Sequence, residues 1–265
     1  MSGAQIRAMC RQGVLAGPTT GAAMGFAQAN LVVLQDDLAC DFEAFCQCNP
    51  KPCPLLEVTR PGFCEPAQLA PGADVRTDLP RYRVYRRGVC VEQPTSIEPY
   101  WSDRCIAFLI GCSFTFESAL LGAGLPVRHI EQGCNVPMYR TDVSCTPAGV
   151  FEGPLVVSMR PMTPRQAKEA ARITAAFPRV HGGPVHMGDP EAIGIEDLGR
   201  PDYGDAVTIR PGEIAVFWAC GVTPIEAILR AKPELAITHE PGHMLVTDVL
   251  DRTLRETLPL GGQQD

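Results

Sequence analysis

Apolar residues recur along the chain at helical spacing in some stretches and run continuously in others. Ile6, Met9, Cys10 and Val14 mark one face of a helix over residues 3–16, which Gly17-Pro18 stops. A loop of small residues (17–30) follows, and Leu31–Leu34 then reads as a buried strand. Asp36 or Asp37 is suited to cap the next helix, with inner face Leu38, Phe42 and Phe45 and a stop at Asn49-Pro50. Residues 82–92 predict a hairpin turning at Arg87-Gly88.

Two apolar runs lead straight into helices: Ile106–Gly111 into 116–123, and Ile214–Ala219 into 224–231. Buried strands feeding helices predict an α/β fold with a mixed, partly parallel sheet. Between them lie short strands at 126–131, 137–142, 155–160 and 184–188, broken by Gly and Pro. One helix, 164–176, opens with a capping box at Thr163 and Gln166. This texture predicts a smaller α+β two-layer domain over 126–199, inserted into an α/β domain made of 1–125 and 200–265. Strands at 235–238 and 243–247 flank a Pro241-Gly242 turn, and the tail GGQQD (261–265) is expected to be disordered.

The 265 residues, 45% hydrophobic and 20% charged, suffice for a core without disulfides or metal. A net charge of −7 argues against nucleic acid and leaves small ligands open. No stretch nears the ~20 apolar residues of a membrane span. The N-terminus lacks a secretory h-region, so a cytoplasmic location is expected. Five of the 12 cysteines (Cys40, Cys46, Cys48, Cys53, Cys64) crowd one stretch. Without paired CxxC knuckles or a secretory signal they read as reduced thiols, with neither metal nor cofactor.

The sharpest internal signal is a repeat. CSFTFESALLGA (112–123) and CGVTPIEAILRA (220–231) align without a gap. Each follows a strand, which puts Cys112 or Cys220 at the strand end and Thr115 or Thr223 at a helix N-cap. Thr223 and Glu226 add a second capping box. First-turn amides lack intrahelical partners and carry partial positive charge, so two such turns suit a small dicarboxylate. A helix N-terminus also lowers a thiol pKa, which raises acid–base chemistry by paired cysteines as in racemases, beside a role as small buried residues.

HEPGH (239–243) matches the HExxH zinc pattern in letters only, because Pro241-Gly242 cannot hold both imidazoles on one helix face. His181 and His186 bracket a Gly-rich loop, and His129 adjoins Arg128. Arg128, Arg140 and Arg160 lie in the middle segment, where a guanidinium can grip a carboxylate bidentately. GAGLP (122–126) reads as a helix C-cap, and no Walker loop or dinucleotide fingerprint is present.

ANLVVL (29–34), FCQCNPKPCPLLE (45–57), GCSFTFESAL (111–120), PVRH (126–129), NVPMYRT (135–141), GPLVVSMRP (153–161), HGGPVHMGDP (181–190), FWACGVTP (217–224) and THEPGHMLVTD (238–248) occur in this order. Together they resemble the bacterial hydro-lyase family related to the D-glutamate cyclase of mitochondria. The resemblance covers nearly the whole chain and implies a two-part α/β architecture. It also implies closure of D-glutamate to 5-oxo-D-proline with loss of water.

That chemistry needs a base, an acid and held carboxylates. Cys112, Glu117, His181, Cys220 and His239 are the catalytic candidates. Ser113, Thr115, Arg128, His129, Asn135, Arg140 and Thr223 are the substrate-binding candidates. The expected partner is a small carboxylate or amino acid, and a homodimer is compatible with the sequence. A non-catalytic amino-acid sensor using the same turns is the rival from another class.

Overall fold

The computed structural model describes residues 1–255, so the GGQQD tail lies outside the described residues. The strands are β1 (Phe26–Gln35), β2 (Leu55–Val58), β3 (Tyr82–Arg86), β4 (Val89–Glu92), β5 (Cys105–Gly111), β6 (Met138–Ser144), β7 (Pro154–Met162), β8 (His186–Met187), β9 (Ile214–Ala219), β10 (Ala236–His239) and β11 (Leu245–Leu250). The α-helices are α1 (Gly3–Arg11), α2 (Asp36–Cys48), α3 (Phe114–Gly122), α4 (Arg128–Gln132), α5 (Pro164–Ala175) and α6 (Thr223–Ala231).

The chain is α/β, with two sheets. The seven-stranded sheet runs β2-β5-β1-β10-β3-β4, with β11 also paired to β1. The four-stranded sheet runs β6-β7-β9-β8. Every strand pairing among the described residues is antiparallel, which corrects the expectation of a partly parallel sheet. A strand covered on both faces is a continuous apolar run whichever way its neighbour points, so the pattern alone could not choose. Strand β9, grouped by the sequence reading with the first unit, pairs with β7 and β8 in the second sheet.

Local expectations fare unevenly. The hairpin at Arg87-Gly88 forms, with φ 50° and 79° at its two turn residues. The Thr163–Gln166 capping box is present, and Gly124 (φ 73°) follows the end of α3 in the left-handed region. Helix α1 stops at Arg11, and Val14 is exposed. The segment expected as a strand over 126–131 instead leads into helix α4 (Arg128–Gln132), which Gly133 in the left-handed region ends. The loop expected over 17–30 is shorter, because Ala27–Asn30 lie buried within β1.

One core cluster joins the two sheets. It unites Phe42, Phe45 and Phe108 of the first unit with Met138, Val156 and Ile225 of the second. Phe42 contacts Phe108 and Phe151 edge-to-face, with centroids 4.8 and 5.2 Å apart. Helix α1 is tied to β11 by Arg7, which donates to both Asp248 carboxylate oxygens and to the Val246 carbonyl. No helix among the described residues is long and apolar enough to cross a membrane.

Candidate active site

The sequence repeat is also a repeat of strand register. Gly111 of β5 stands opposite Ala29 of β1, and Ala219 of β9 stands opposite Val157 of β7. Four residues beyond each, a threonine hydroxyl accepts a hydrogen bond from the amide one step back on the partner strand. Gln28 N donates to Thr115 Oγ1 (3.1 Å) and Val156 N to Thr223 Oγ1 (3.0 Å). Each edge amide loses its ladder partner where β5 or β9 ends, and the hydroxyl replaces it.

This corrects the reading of both threonines. The N-cap positions belong to Ser113 and Val222, neither with a side-chain cap bond. Thr115 and Thr223 are buried, and each hydroxyl ties down a strand edge. Glu226 forms no capping box; it accepts from Tyr203 and pairs with Arg140 at 2.8 Å.

Cys112 and Cys220 sit in the two turns, close enough that the charge of one would raise the pKa of the other. Burial dominates at both. It pushes the Cys112 thiol well above its usual range and Cys220 up to about 11, against the opposing pull of turn amides and Arg160. Helix position alone predicts a lowered pKa, but desolvation wins here because both sulfurs are enclosed. Among the described residues the amides of Ser113 and Gly221 have no acceptor, so each turn keeps a free donor.

Behind the first turn lies a buried ion pair. Arg160, on β7 and fully enclosed, donates to Glu117 Oε1 from Nη2 (2.5 Å) and Nε (3.1 Å). Its remaining contacts run from Nη2 to Ser113 Oγ and from Nη1 to Ser158 Oγ, each 3.1 Å. The guanidinium also lies over the rings of Phe116 and Trp218. His129 Nε2 is 3.1 Å from Glu117 Oε1, off the hydrogen-bond axis, and both ring nitrogens lack a bonded partner. Burial pushes the Glu117 carboxyl upward, but the nearby charges of His129 and Arg160 and the hydrogen bonds from Arg160 outweigh it and the net is lowered. Glu117 is therefore a carboxylate at neutral pH.

Glu117 and His129 also lie on open space. A cleft of about 470 Å³ is lined by Thr20, His129, Asn135 and Asp205, among others. Glu117 borders a separate cavity of about 20 Å³, lined also by Gly21, Phe26 and Gln28, about the size for one water. Asn135 closes the cleft toward β10. Its Nδ2 donates to Pro241 O (3.1 Å), and a Cβ on Gly242 would sit 2.5 Å from that nitrogen.

The 239–243 segment is neither a helix nor a hairpin turn. Strands β10 and β11 both pair with β1, one after the other, and 240–244 is an excursion between them. His239 Nδ1 lies 3.2 Å from Leu31 N and 3.1 Å from Leu31 O, filling the gap in the ladder. Burial lowers its pKa to about 4. His181 is likewise lowered to about 4, chiefly by burial and next opposed by the Lys51 carbonyl at its Nδ1. It adopts φ 83°, a strained backbone for a non-glycine, and its Nε2 has no partner. Residues 179–180 press on Gly111, where a Cβ would meet Arg179 O at 2.2 Å, so His181 adjoins the first turn.

The structure thus brings together Cys112, Ser113, Glu117, His129 and Cys220, with His181 and Asn135 adjacent. Two other candidates are engaged elsewhere. Arg128 is bound by Glu213 (2.6 Å), Glu131 and the Thr208 carbonyl. Arg140 pairs with Asp202 and Glu226 on a half-exposed surface. The arginine buried beside the turns is Arg160, which the sequence reading did not place at the site, although it stands within a long apolar strand. Asn30, whose Nδ2 donates to Gly111 O (2.7 Å) and Ile110 O (3.2 Å), was also missed; a polar residue inside a buried run was its signal. All twelve cysteines are free thiols, and among the described residues no His, Cys, Asp or Glu cluster has a metal-holding arrangement.

Comparison with known proteins follows this geometry. The D-glutamate cyclase family profile matches residues 106–248, which span both turns, Glu117, His129 and Arg160. The chain is 57% identical over 254 residues to YcsI of Bacillus subtilis, covering 96% of this chain and 99% of the other. It is 59% identical to a relative in Bordetella pertussis, covering 96% and 91%, and 57% identical to one in Stutzerimonas stutzeri, covering 96% of each. All three carry a provisional hydro-lyase designation in their names. Matched along more than half its length by the profile and along nearly all of it by these relatives, this chain belongs to the D-glutamate cyclase family.

Proposed function

We propose that this chain is a carbon–oxygen lyase that closes D-glutamate to 5-oxo-D-proline and releases water. The observation that carries this reading is the buried series Arg160–Glu117–His129, with His129 on the cleft wall. A buried carboxylate fixed by a guanidinium can orient an imidazole and stabilise its protonated form.

In the reaction the ammonium gives up two protons and the amine nitrogen attacks the γ-carboxyl carbon. The C–N bond forms, the C–O bond breaks, and the departing oxygen takes both protons and leaves as water. His129 is the group to accept the first proton and return it to the leaving oxygen, with Glu117 holding the imidazolium. The acceptor-free amides of Ser113 and Gly221 are the donors for carboxylate oxygen and the developing oxyanion. Folding the substrate against them aligns amine and carbonyl, an effect that reaches roughly 7–11 kcal/mol in intramolecular reactions.

The test is incubation of purified protein with D- or L-glutamate, followed by chiral chromatography of 5-oxoproline. Product from the D-isomer that disappears with His129→Gln is the expected result. Tight binding of either isomer without product would replace the lyase with an amino-acid sensor.

A further inference from the structure

The cleft beside His129 has a charge character that the two turns lack. Asp205 supplies the sole formally charged side chain among the described residues lining it, and no Lys or Arg faces it. A site shaped to receive a carboxylate would present the opposite sign. Asp205 is exposed, and its carboxylate is held on one side only, where Oδ2 accepts from Asn135 N at 2.9 Å. No hydrogen bond to Oδ1 exists among the described residues. Two buried polar groups with unmet hydrogen bonds also line the cleft: the Thr20 hydroxyl and the imidazole of His129, which is 1% exposed. Buried polar groups are normally satisfied, so two orphans among the residues lining one cleft mark a place where something else completes them.

We propose that this cleft receives the amino end of the substrate, and that Asp205 is the residue that selects for a free ammonium group. The inference rests on the lyase reading for what happens next but not for the binding itself. Asp205 Oδ1 takes one ammonium N–H and the Thr20 hydroxyl takes a second. The third points at an orphan nitrogen of His129, the base already assigned. The carboxylates then lie toward the turn amides of Ser113 and Gly221, away from the negative charge. A ligand with two carboxylates and no amine gains nothing from the cleft.

Titration calorimetry of the full chain with D-glutamate, L-glutamate and glutarate tests this, alongside turnover. At least one glutamate isomer should bind tenfold or more tightly than glutarate. Asp205→Asn should remove that preference while leaving the glutarate affinity within about twofold. Where turnover is measured, Asp205→Asn should raise KM at least tenfold with a much smaller fall in kcat, and Asp205→Glu should restore part of it. A merely structural role for Asp205 would instead lower glutamate and glutarate binding together. Equal affinity for glutamate and glutarate, binding of neither, or an unchanged preference in Asp205→Asn would overturn the proposal. Ammonium-dependent binding with no 5-oxoproline would sink the lyase reading and leave this one standing.

Discussion

Asn30 and Gly221 touch so closely that a Cβ on Gly221 would stand 2.0 Å from Asn30 Nδ2. Asn30 cannot move aside without giving up its bonds to the Ile110 and Gly111 carbonyls. This contact joins the first sheet to the turn that leaves the second, beside the two cysteines. Gly221→Ala should therefore cost on the order of 1–3 kcal/mol through a broken buried hydrogen bond. Gly122→Ala, with open space around its Cβ, should change stability by less than about 0.5 kcal/mol. Urea unfolding of both variants makes the comparison, and equal stabilities would show that the contact carries no weight.

The Arg160–Glu117 pair is enclosed at both ends, so removing one partner strands the other charge. Glu117→Gln and Arg160→Met should each destabilise by roughly 3–5 kcal/mol. The double variant should lose less than the sum, because it leaves no unpaired charge. A double-mutant cycle on unfolding free energies reads the coupling; strict additivity would contradict it.

In the proposed mechanism His129 acts through a ring nitrogen that has no hydrogen-bond partner among the described residues. His129→Gln should lower turnover by about 10²–10⁴-fold, the range for a positioned general acid–base. Its thermal midpoint should stay close to that of the parent. A variant with undiminished turnover would move the proton-carrier role to His181, the other buried imidazole near Arg160.

Burial keeps Cys112 and Cys220 as thiols. Cys112→Ser and Cys220→Ser should retain turnover within a few-fold. Iodoacetamide at pH 7.5 should modify the exposed Cys40, Cys48 and Cys90 well before either turn cysteine, as peptide mapping would show. Rapid labelling at Cys112 or Cys220, or loss of turnover on substitution, would restore the acid–base role for them.

His181 and His239 set a pH dependence of stability. Both have a folded pKa near 4, below the ordinary value of 6.5 that applies when unfolded. Between those values the unfolded chain binds more protons, so stability is full above about pH 6.5 and falls as pH drops toward 4. Each histidine should account for on the order of 3 kcal/mol of that loss. Thermal midpoints from pH 7.5 to 4.5 should fall less steeply in His239→Gln than in the parent.

Much of the fold is legible in residue order. The apolar runs before Cys112 and Cys220 are strands, as their short length and the glycine next to each cysteine suggest. The matching segments after them are helices, and the repeat between them extends into strand register that no short motif displays. The Thr163 capping box and the Arg87-Gly88 turn formed because their chemistry is local. Family membership was legible too, through long ordered segments rather than through any one residue.

What the sequence by itself determined is therefore where chain segments become strand or helix, and which family they belong to. Strand direction was decided by tertiary structure, since apolar runs look alike beside parallel and antiparallel neighbours. Residue roles were decided there as well. Thr115 and Thr223 tie down strand edges, and Arg128 and Arg140 are occupied by Glu213 and by Asp202 with Glu226. Arg160 became the central cation only once β7 carried it beneath Glu117 of α3. Ionisation followed the same rule. A helix N-terminus lowers a thiol pKa and a neighbouring cation lowers a carboxyl pKa, but the outcome depends on how much water the fold removes. That is set by the packing of segments distant in sequence, which periodicity and spacing do not encode.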